Sequence, residues 1–235
     1  PLADRRLGTQ RKATGEVMAI DRTLAGALQK AVRSLEAGYD GLSDAAMASL
    51  DDGELRRAVS MPDDRRLLAV AEAFRRGFSI EEVNGLTGIA PYFLSVIKGI
   101  VEAEQELQSH PERLEARLPE LKRLGFSDRR LARLAGRSEG EVRELRHRLG
   151  IVPAYKGVDT CAGESEATSA YYYSTYEGGE EAPDSQRRKV LVIGSGPIRI
   201  GQGIEFDYCS VHSVWALQRM GYEAVIVNNN PETVS

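Results

Sequence analysis

The last fifth of the chain carries the pattern that most restricts its fold. The apolar run Val190–Ile193 ends at Gly194-Ser195-Gly196-Pro197, and a second apolar run, Ala224–Val227, follows a stretch with helical patterning. Runs of Val and Ile bounded by turn residues are typical of buried parallel strands, and parallel neighbours need a crossover connection. The pattern of residues 189–235 therefore predicts the first strand, turn, helix and strand of a doubly wound α/β domain.

The glycine-rich turn departs from the two common nucleotide-binding motifs. A dinucleotide fingerprint needs a third glycine where this chain has Arg199, and an acidic residue where the second strand ends at Asn228-Asn229-Asn230. The next glycines are Gly201 and Gly203, so the turn is wider. No Gly-Lys-Ser or Gly-Lys-Thr follows, which excludes a Walker A loop. A dinucleotide-binding protein truncated after its first βαβ is an alternative that fits poorly.

The residues before this unit are patterned as helices. Apolar side chains recur with a period near 3.6 over Thr23–Glu36, Arg65–Arg76 and Tyr92–Gln108, which predicts amphipathic helices. The stretch 159–185 holds seven acidic and no basic residues, together with glycines and a proline, and we place a linker at about residues 177–188. The predicted fold class is α+β overall: an all-α module followed by the first βαβ of a doubly wound α/β domain.

The helical region contains an internal repeat. Gly77-Phe78-Ser79 recurs as Gly125-Phe126-Ser127, and the apolar positions after each copy correspond. Ser79 and Ser138 each precede a glutamate at capping-box spacing. The repeat therefore predicts two helical hairpins that pack on each other.

The second hairpin is rich in arginine, which raises the hypothesis of a DNA-recognition helix. Glutamates interleave with the arginines and would repel phosphate. We therefore expect a solvated face with i,i+4 partners, such as Glu139–Arg143, and no nucleic-acid binding. The arginines are Arg129, Arg130, Arg133, Arg137, Arg143, Arg146 and Arg148.

Composition and charge restrict the classes of protein to which the chain can belong. The net charge of −4 gives no argument for a polyanionic partner, and no apolar stretch reaches the roughly 18–20 residues that cross a bilayer. Cys161 and Cys209 lie far apart, and the three histidines are scattered without ligand spacing. We expect a cytoplasmic protein with reduced thiols, no metal site and no membrane contact.

Several motifs resemble the large subunit of carbamoyl phosphate synthetases. GPIRIGQGIEFDY (196–208) and NPETVS (230–235) are similar to the start of the second, carbamoyl-phosphate-forming half. DRRLGTQRKATGEVMAIDR (4–22) resembles the tail of the first ATP-grasp half. VDTCAGE (158–164) and YYYSTYE (171–177) resemble the join to the second half. The helical middle is similar to the family's oligomerization domain.

This resemblance implies a domain organisation. Residues 1–22 would be the tail of the first synthetase half, and residues 23–157 the helical oligomerization domain with its two hairpins. Residues 158–188 would be a connector, and residues 189–235 the start of the second half, a truncated pre-ATP-grasp domain. On this interpretation the chain is an internal piece of a longer protein.

The resemblance also implies an activity for that longer protein. It would make carbamoyl phosphate from bicarbonate, glutamine-derived ammonia and two ATP, with Mg²⁺ or Mn²⁺, for arginine and pyrimidine synthesis. Its partners would be a small glutamine-amidotransferase subunit and further copies of the large subunit, bound through the helical domain. In the family both ATP-grasp cores lie outside these residues. We therefore expect no catalytic residue, metal ligand or bound cofactor in this chain alone, and no activity.

Candidate site residues lie around the glycine-rich turn. Ligands of open α/β sheets bind beyond the carboxyl ends of the strands, where Arg199 and Glu232 are expected. The resemblance implies that Arg199, Glu205 and Glu232 line the passage through which carbamate reaches the second active site. The alternatives are plain surface charge, or a non-catalytic helical adaptor module with an α/β tail. The glycines assigned to the turn are Gly194, Gly196, Gly201 and Gly203.

Overall fold

The computed structural model describes residues 4–9, 17–165, 170–199 and 201–228. Within these ranges a helical module is followed by a connector and a small α/β unit, so the α+β fold class is confirmed. The helices of the module are α1 Leu24–Ser34, α2 Ala45–Ala48, α3 Asp52–Ser60, α4 Arg66–Arg75, α5 Ile80–Thr87, α6 Pro91–Ser109, α7 Leu114–Arg123, α8 Asp128–Ala135 and α9 Glu139–Arg148.

Local capping chemistry sets where several of these helices begin. The Thr23 side chain accepts a hydrogen bond from the backbone at the start of α1. Ser79 and Ser138 form full capping boxes with Glu82 and Glu141 at the starts of α5 and α9, as their spacing predicts. The predicted helices over 23–36, 65–76 and 92–108 are confirmed as α1, α4 and α6.

The internal repeat folds as two helical hairpins. In the first, α5 ends at Gly88 and leads into α6, and in the second, α8 ends at Gly136 and leads into α9. Both glycines adopt the left-handed conformation that terminates a helix. Equivalent apolar positions in the two hairpins are buried in one core, namely Val83 with Leu131, Leu94 with Val142 and Ile97 with Leu145.

A buried carboxylate links three helices across this core. Glu104 of α6 is 2% exposed. Arg130 of α8 donates to both of its oxygens at 2.9 Å, and Arg75 of α4 donates to Oε2 at 2.8 Å. Arg75 also donates to the Leu42 carbonyl. Since removing one partner from a buried charge pair leaves an uncompensated charge, this network makes the packing of α4, α6 and α8 interdependent.

The expectation of a solvated arginine face is wrong for two of its members. Arg130 and Arg146 are each 8% exposed. Arg130 pairs with Glu104, and Arg146 donates to Asp128 at 3.0 Å and to the Ile151 carbonyl at 2.8 Å. Their partners lie on other elements rather than one turn away, because the hairpins pack these faces inward. These two guanidinium groups are therefore engaged inside the protein.

Helix α1 lies close to the loop that precedes α8. Gln29 donates to the Leu124 carbonyl at 2.8 Å, and Arg33 donates to the Gly125 carbonyl at 2.7 Å. Gly125 has φ of 93°, and a Cβ built on it would lie 2.8 Å from the Cα of Gly26. A side chain at position 125 would therefore collide with the backbone of α1, and the positive φ also favours glycine there.

Two small sheets follow the helical module. Strands β1 (Ala154–Gly157) and β2 (Tyr172–Thr175) pair antiparallel with Ala154 opposite Thr175. Strand β2 contains part of the tyrosine-rich segment assigned to the connector, and its partner β1 lies in the range assigned to the helical domain. The hairpin therefore spans that predicted boundary.

The second sheet forms the predicted strand, helix and strand unit. Strands β3 (Lys189–Ile193) and β4 (Glu223–Val227) are parallel, with Leu191 opposite Val225, and helix α10 (Tyr208–Arg219) crosses between them. Helix α10 contacts both strands.

The prediction that both strands are buried is wrong for one face of this sheet. Leu191 and Ile193 are 60% and 80% exposed, and their partners Val225 and Val227 are 39% and 48% exposed. Successive side chains of a strand point to opposite faces, and α10 is the helix that packs on this unit within the described residues. One apolar face of the β3–β4 sheet is therefore uncovered.

The buried network predicts a large effect of a small change. Replacing Glu104 by Gln keeps the side-chain shape but leaves Arg130 and Arg75 without their shared negative charge. We expect the free energy of unfolding to fall by about 3 kcal/mol, measured by urea denaturation. The control is Glu102→Gln on the same helix, whose partner Lys98 is 3.7 Å away in an exposed pair. The control should change stability by less than about 0.5 kcal/mol, and equal effects of the two variants would contradict the network's role.

The contact between Gly26 and Gly125 gives a second prediction. Gly125→Ala introduces both left-handed backbone strain, of about 1–2 kcal/mol, and an overpacking clash of about 1–3 kcal/mol. The control Gly136→Ala introduces only the backbone strain. Gly136 has φ of 64°, and no atom lies within 4 Å of its added Cβ. Urea denaturation should therefore show a larger loss of stability for Gly125→Ala. Equal losses would mean that the close approach adds nothing.

Candidate functional site: the glycine-rich turn

The glycine-rich turn lies at the carboxyl edge of the β3–β4 sheet. Strand β3 ends at Ile193, and the amide of Gly194 donates to the Val227 carbonyl at 2.8 Å, which extends the pairing by one bond. A 3₁₀ turn, Ile204–Asp207, leads directly into α10. This edge is where open α/β sheets bind their ligands.

Two of the four assigned glycines lie directly against other side chains. A Cβ at Gly194 would collide with the side-chain amide of Asn228, which follows β4. A Cβ at Gly203 would collide with the carboxylate of Glu205, which folds back over the turn. Gly196 and Gly201 instead have φ of 78° and 90°. The glycines therefore shape a turn that is packed with side chains of its own.

A carboxylate occupies the turn where a phosphate would bind in a dinucleotide site. Asp207 is fully buried at the N-cap position of α10, and its Oδ1 accepts a hydrogen bond from the Ser195 amide at 3.4 Å. Nucleotide phosphates bind such loops through backbone amides at a helix N-terminus. The Asp207 carboxyl group takes the amide that a phosphate would otherwise use, and this opposes that mode of binding, as the departures from the fingerprint predict.

The structure describes two of the three residues assigned to the carbamate passage. Arg199 is exposed; its amide donates to Gln202 Oε1 at 2.8 Å, and its guanidinium donates to Glu36 Oε2 at 3.1 Å. Glu205 is exposed beside Gly203. Glu232 lies outside the described residues, so the passage assignment stays a prediction.

Sequence reasoning missed three neighbours of the turn. Glu36 follows α1 and meets Arg199 across 163 positions, a separation for which no local pattern gives a signal. Asn228 was considered only as a mismatch to the fingerprint, although it packs against Gly194. For Asp207, its position directly before a helix could have indicated an inward-facing acidic residue.

Metal ligands and membrane-spanning helices would each indicate a different class of site. Across the described ranges, no group of three His, Cys, Asp or Glu side chains is placed to hold a metal ion. None of the helices described above combines the length and apolarity that a membrane span requires.

Comparison with known families assigns both parts of the chain. Residues 16–150, more than half of the 235-residue chain, match the carbamoyl-phosphate synthetase large chain, oligomerisation domain. Residues 186–235 match the carbamoyl phosphate synthase preATP-grasp domain. The first match covers the helical module, and the second covers the β3–α10–β4 unit with its glycine-rich turn.

An oligomerisation domain followed by a pre-ATP-grasp domain defines a chain of a multidomain ligase. The chain belongs to the carbamoyl-phosphate synthetase large-chain family. The resemblance seen in the sequence motifs is thereby confirmed.

Proposed function

We propose that these residues join the two synthetase halves of a glutamine-hydrolysing carbamoyl phosphate synthetase. The order of the two matched domains in one chain carries this proposal. The whole enzyme would phosphorylate bicarbonate with ATP, combine the product with glutamine-derived ammonia to give carbamate, and phosphorylate carbamate with a second ATP. Its product would supply arginine and pyrimidine synthesis in the cytoplasm, and the free Cys161 and Cys209 suit a reducing compartment.

The uncovered face of the β3–β4 sheet supports a larger α/β domain around this unit. Parallel sheets are almost always covered on both faces. Four neighbouring apolar side chains of β3 and β4 point away from α10 and are exposed. We infer that further elements of the second half pack on them.

The described residues do not fit a site for ATP or its metal ion. Phosphoryl transfer needs cations and amides that neutralise the phosphates, usually with carboxylates that hold Mg²⁺. Here Asp207 lies against the turn amide, and the described residues hold no cluster of metal ligands. We therefore assign nucleotide, Mg²⁺ or Mn²⁺ binding to the ATP-grasp cores of the family. We propose no phosphoryl-transfer step for the residues that the structure describes.

The turn would serve transport instead of bond formation. Carbamate is a short-lived anion that must move between the two halves away from bulk water. An arginine attracts the anion, while glutamates limit how tightly it is held. Arg199 and Glu205 stand at the carboxyl edge of the sheet with exposed side chains, and we propose that they line this passage together with Glu232.

The passage proposal predicts uncoupling of the two half-reactions. In the full-length synthetase, Glu205→Gln should lower carbamoyl phosphate formation about tenfold, equivalent to about 1.4 kcal/mol, because carbamate is then held longer beside Arg199 and decomposes before it reaches the second half. Bicarbonate-dependent ATP hydrolysis, which reports the first half, should continue. The control is Glu144→Gln on the exposed side of α9, which should change neither rate. A parallel fall of both rates, or no fall in either, would contradict the role of the turn.

The helical module is proposed to bind other copies of the large subunit, as the description of its domain family suggests. Sedimentation velocity of this 235-residue chain should then show a weight-average coefficient that rises with protein concentration. The same preparation should lack bicarbonate-dependent ATPase activity, because the ATP-grasp cores are assigned elsewhere. A monomer at every concentration would argue against self-association, and measurable ATPase would argue against the assignment of the cores.

A further inference from the structure

The entry to α1 and the end of β2 share a hydrogen-bonded cluster. Asp21 Oδ1 accepts from the hydroxyl of Thr175 at 2.8 Å, and Asp21 Oδ2 lies 3.3 Å from Lys30 Nζ. Lys30 in turn donates to the Ser174 carbonyl at 2.6 Å. These contacts join chain segments that are 154 positions apart. The head of the connector is thereby held on α1.

These contacts are shielded from water to a greater degree than surface ion pairs. Thr175 is 2% exposed, and the side chain of Asp21 is 10% exposed. Burial lowers the pKa of Lys30, and the charge of Asp21 and its hydrogen bond oppose that shift. Without Asp21 the ammonium would therefore lose the carboxylate that favours its charged form. Gly26 leaves room for the carboxylate, since a Cβ there would lie 2.9 Å from Asp21 Cγ.

Tyr176, the residue after Thr175, is held by contacts with residues outside α1. The ring of Tyr176 lies 4.7 Å from Lys122 Nζ and 5.9 Å from Arg146 Cζ. Both cations also bind Asp128, at 2.8 and 3.0 Å. Residues 174–176 are thus fixed between α1 and the second helical hairpin.

Further anchors leave little free chain before the α/β unit. The Glu181 carboxylate accepts from Lys156 of β1 at 2.7 Å, and the Glu181 amide pairs with the Tyr155 carbonyl. Ser185 already belongs to the α/β unit, because it donates to Glu223 of β4 at 2.5 Å. Residues 182–184 therefore separate the helical module with its β1–β2 hairpin from the α/β unit, and the four residue steps from Glu181 to Ser185 span at most about 14 Å.

An ion pair also joins the helical module directly to the α/β unit, and it is weaker than the anchored connector. Arg199 and Glu36 form an ion pair with side chains 69% and 44% exposed, and exposed pairs of this kind contribute little. The pair can orient the turn only if the connector already brings it close. The anchoring of the connector therefore comes first.

We propose that Asp21, Lys30 and Thr175 form a latch that fixes the connector to α1 and so sets the position of the glycine-rich turn relative to the helical module. The three residues are positioning residues and touch no reacting atom. The latch depends on the geometry of this chain and holds whether or not the turn conducts carbamate.

The test uses the 235-residue chain with Thr175→Val, which removes the hydroxyl at nearly constant shape, and with Asp21→Asn. Hydrogen bonds to charged groups are the stronger class. We therefore expect backbone amide exchange in β1 and β2 to rise about tenfold or more. Exchange in α4 and α6 should not change. The matched control is Thr160→Val, an exposed connector threonine, which should leave both regions as they are.

A distance measurement tests positioning itself. Spin labels on Gln108→Cys and Gln218→Cys, in a background with Cys161→Ser and Cys209→Ser, report the separation of α6 from α10. The distance distribution should broaden with Thr175→Val and with Asp21→Asn, and should stay narrow with Thr160→Val. Unchanged distributions would overturn the latch. A rise of exchange that is equal in α4, α6 and the strands would overturn it too, since that result describes general destabilisation.

Discussion

The carboxylate of Glu104 is the interaction on which the helical module depends. It lies in the core, where two arginines from different helices donate to it and compensate its charge. Apolar packing alone would allow α4, α6 and α8 to slide against one another, because hydrophobic contact has no direction. The fixed donor geometry of the arginine side chains gives the two hairpins one relative arrangement.

Helix α1 connects the helical core to the rest of the chain through three sets of contacts. One of its faces contacts the loop before α8 through two glycines, and its first residues hold the head of the connector. Its C-terminal flank reaches the glycine-rich turn through Glu36. An element that sequence patterning marks only as an amphipathic helix thus contacts the second hairpin, the connector and the α/β unit.

The sequence predicted where the candidate site lies, but not which residues surround it. The strand, the glycines and the helix predict a turn at the carboxyl edge of a sheet, and the structure has one there. The partners of the turn come from distant segments: Asn228 follows the next strand, and Glu36 lies in the helical module. Such partners are set by how the elements pack, so a search for local motifs does not find them. Asp207 is buried in the turn, where it opposes phosphate binding. Its burial depends on how the whole chain packs.

The sequence by itself determined the elements, because caps, glycine ends and apolar periods act over a few residues. Ser79, Ser138, Gly88 and Gly136 mark their helix ends through bonds to backbone groups within one turn. Only the tertiary structure decided which charges are buried. Arg130 belongs to a stretch that looks like a solvated surface, yet it lies in the core, because its partner Glu104 is 26 residues away on another helix. The free energy of a charge depends on its surroundings in space, and the order of residues along the chain does not state those surroundings.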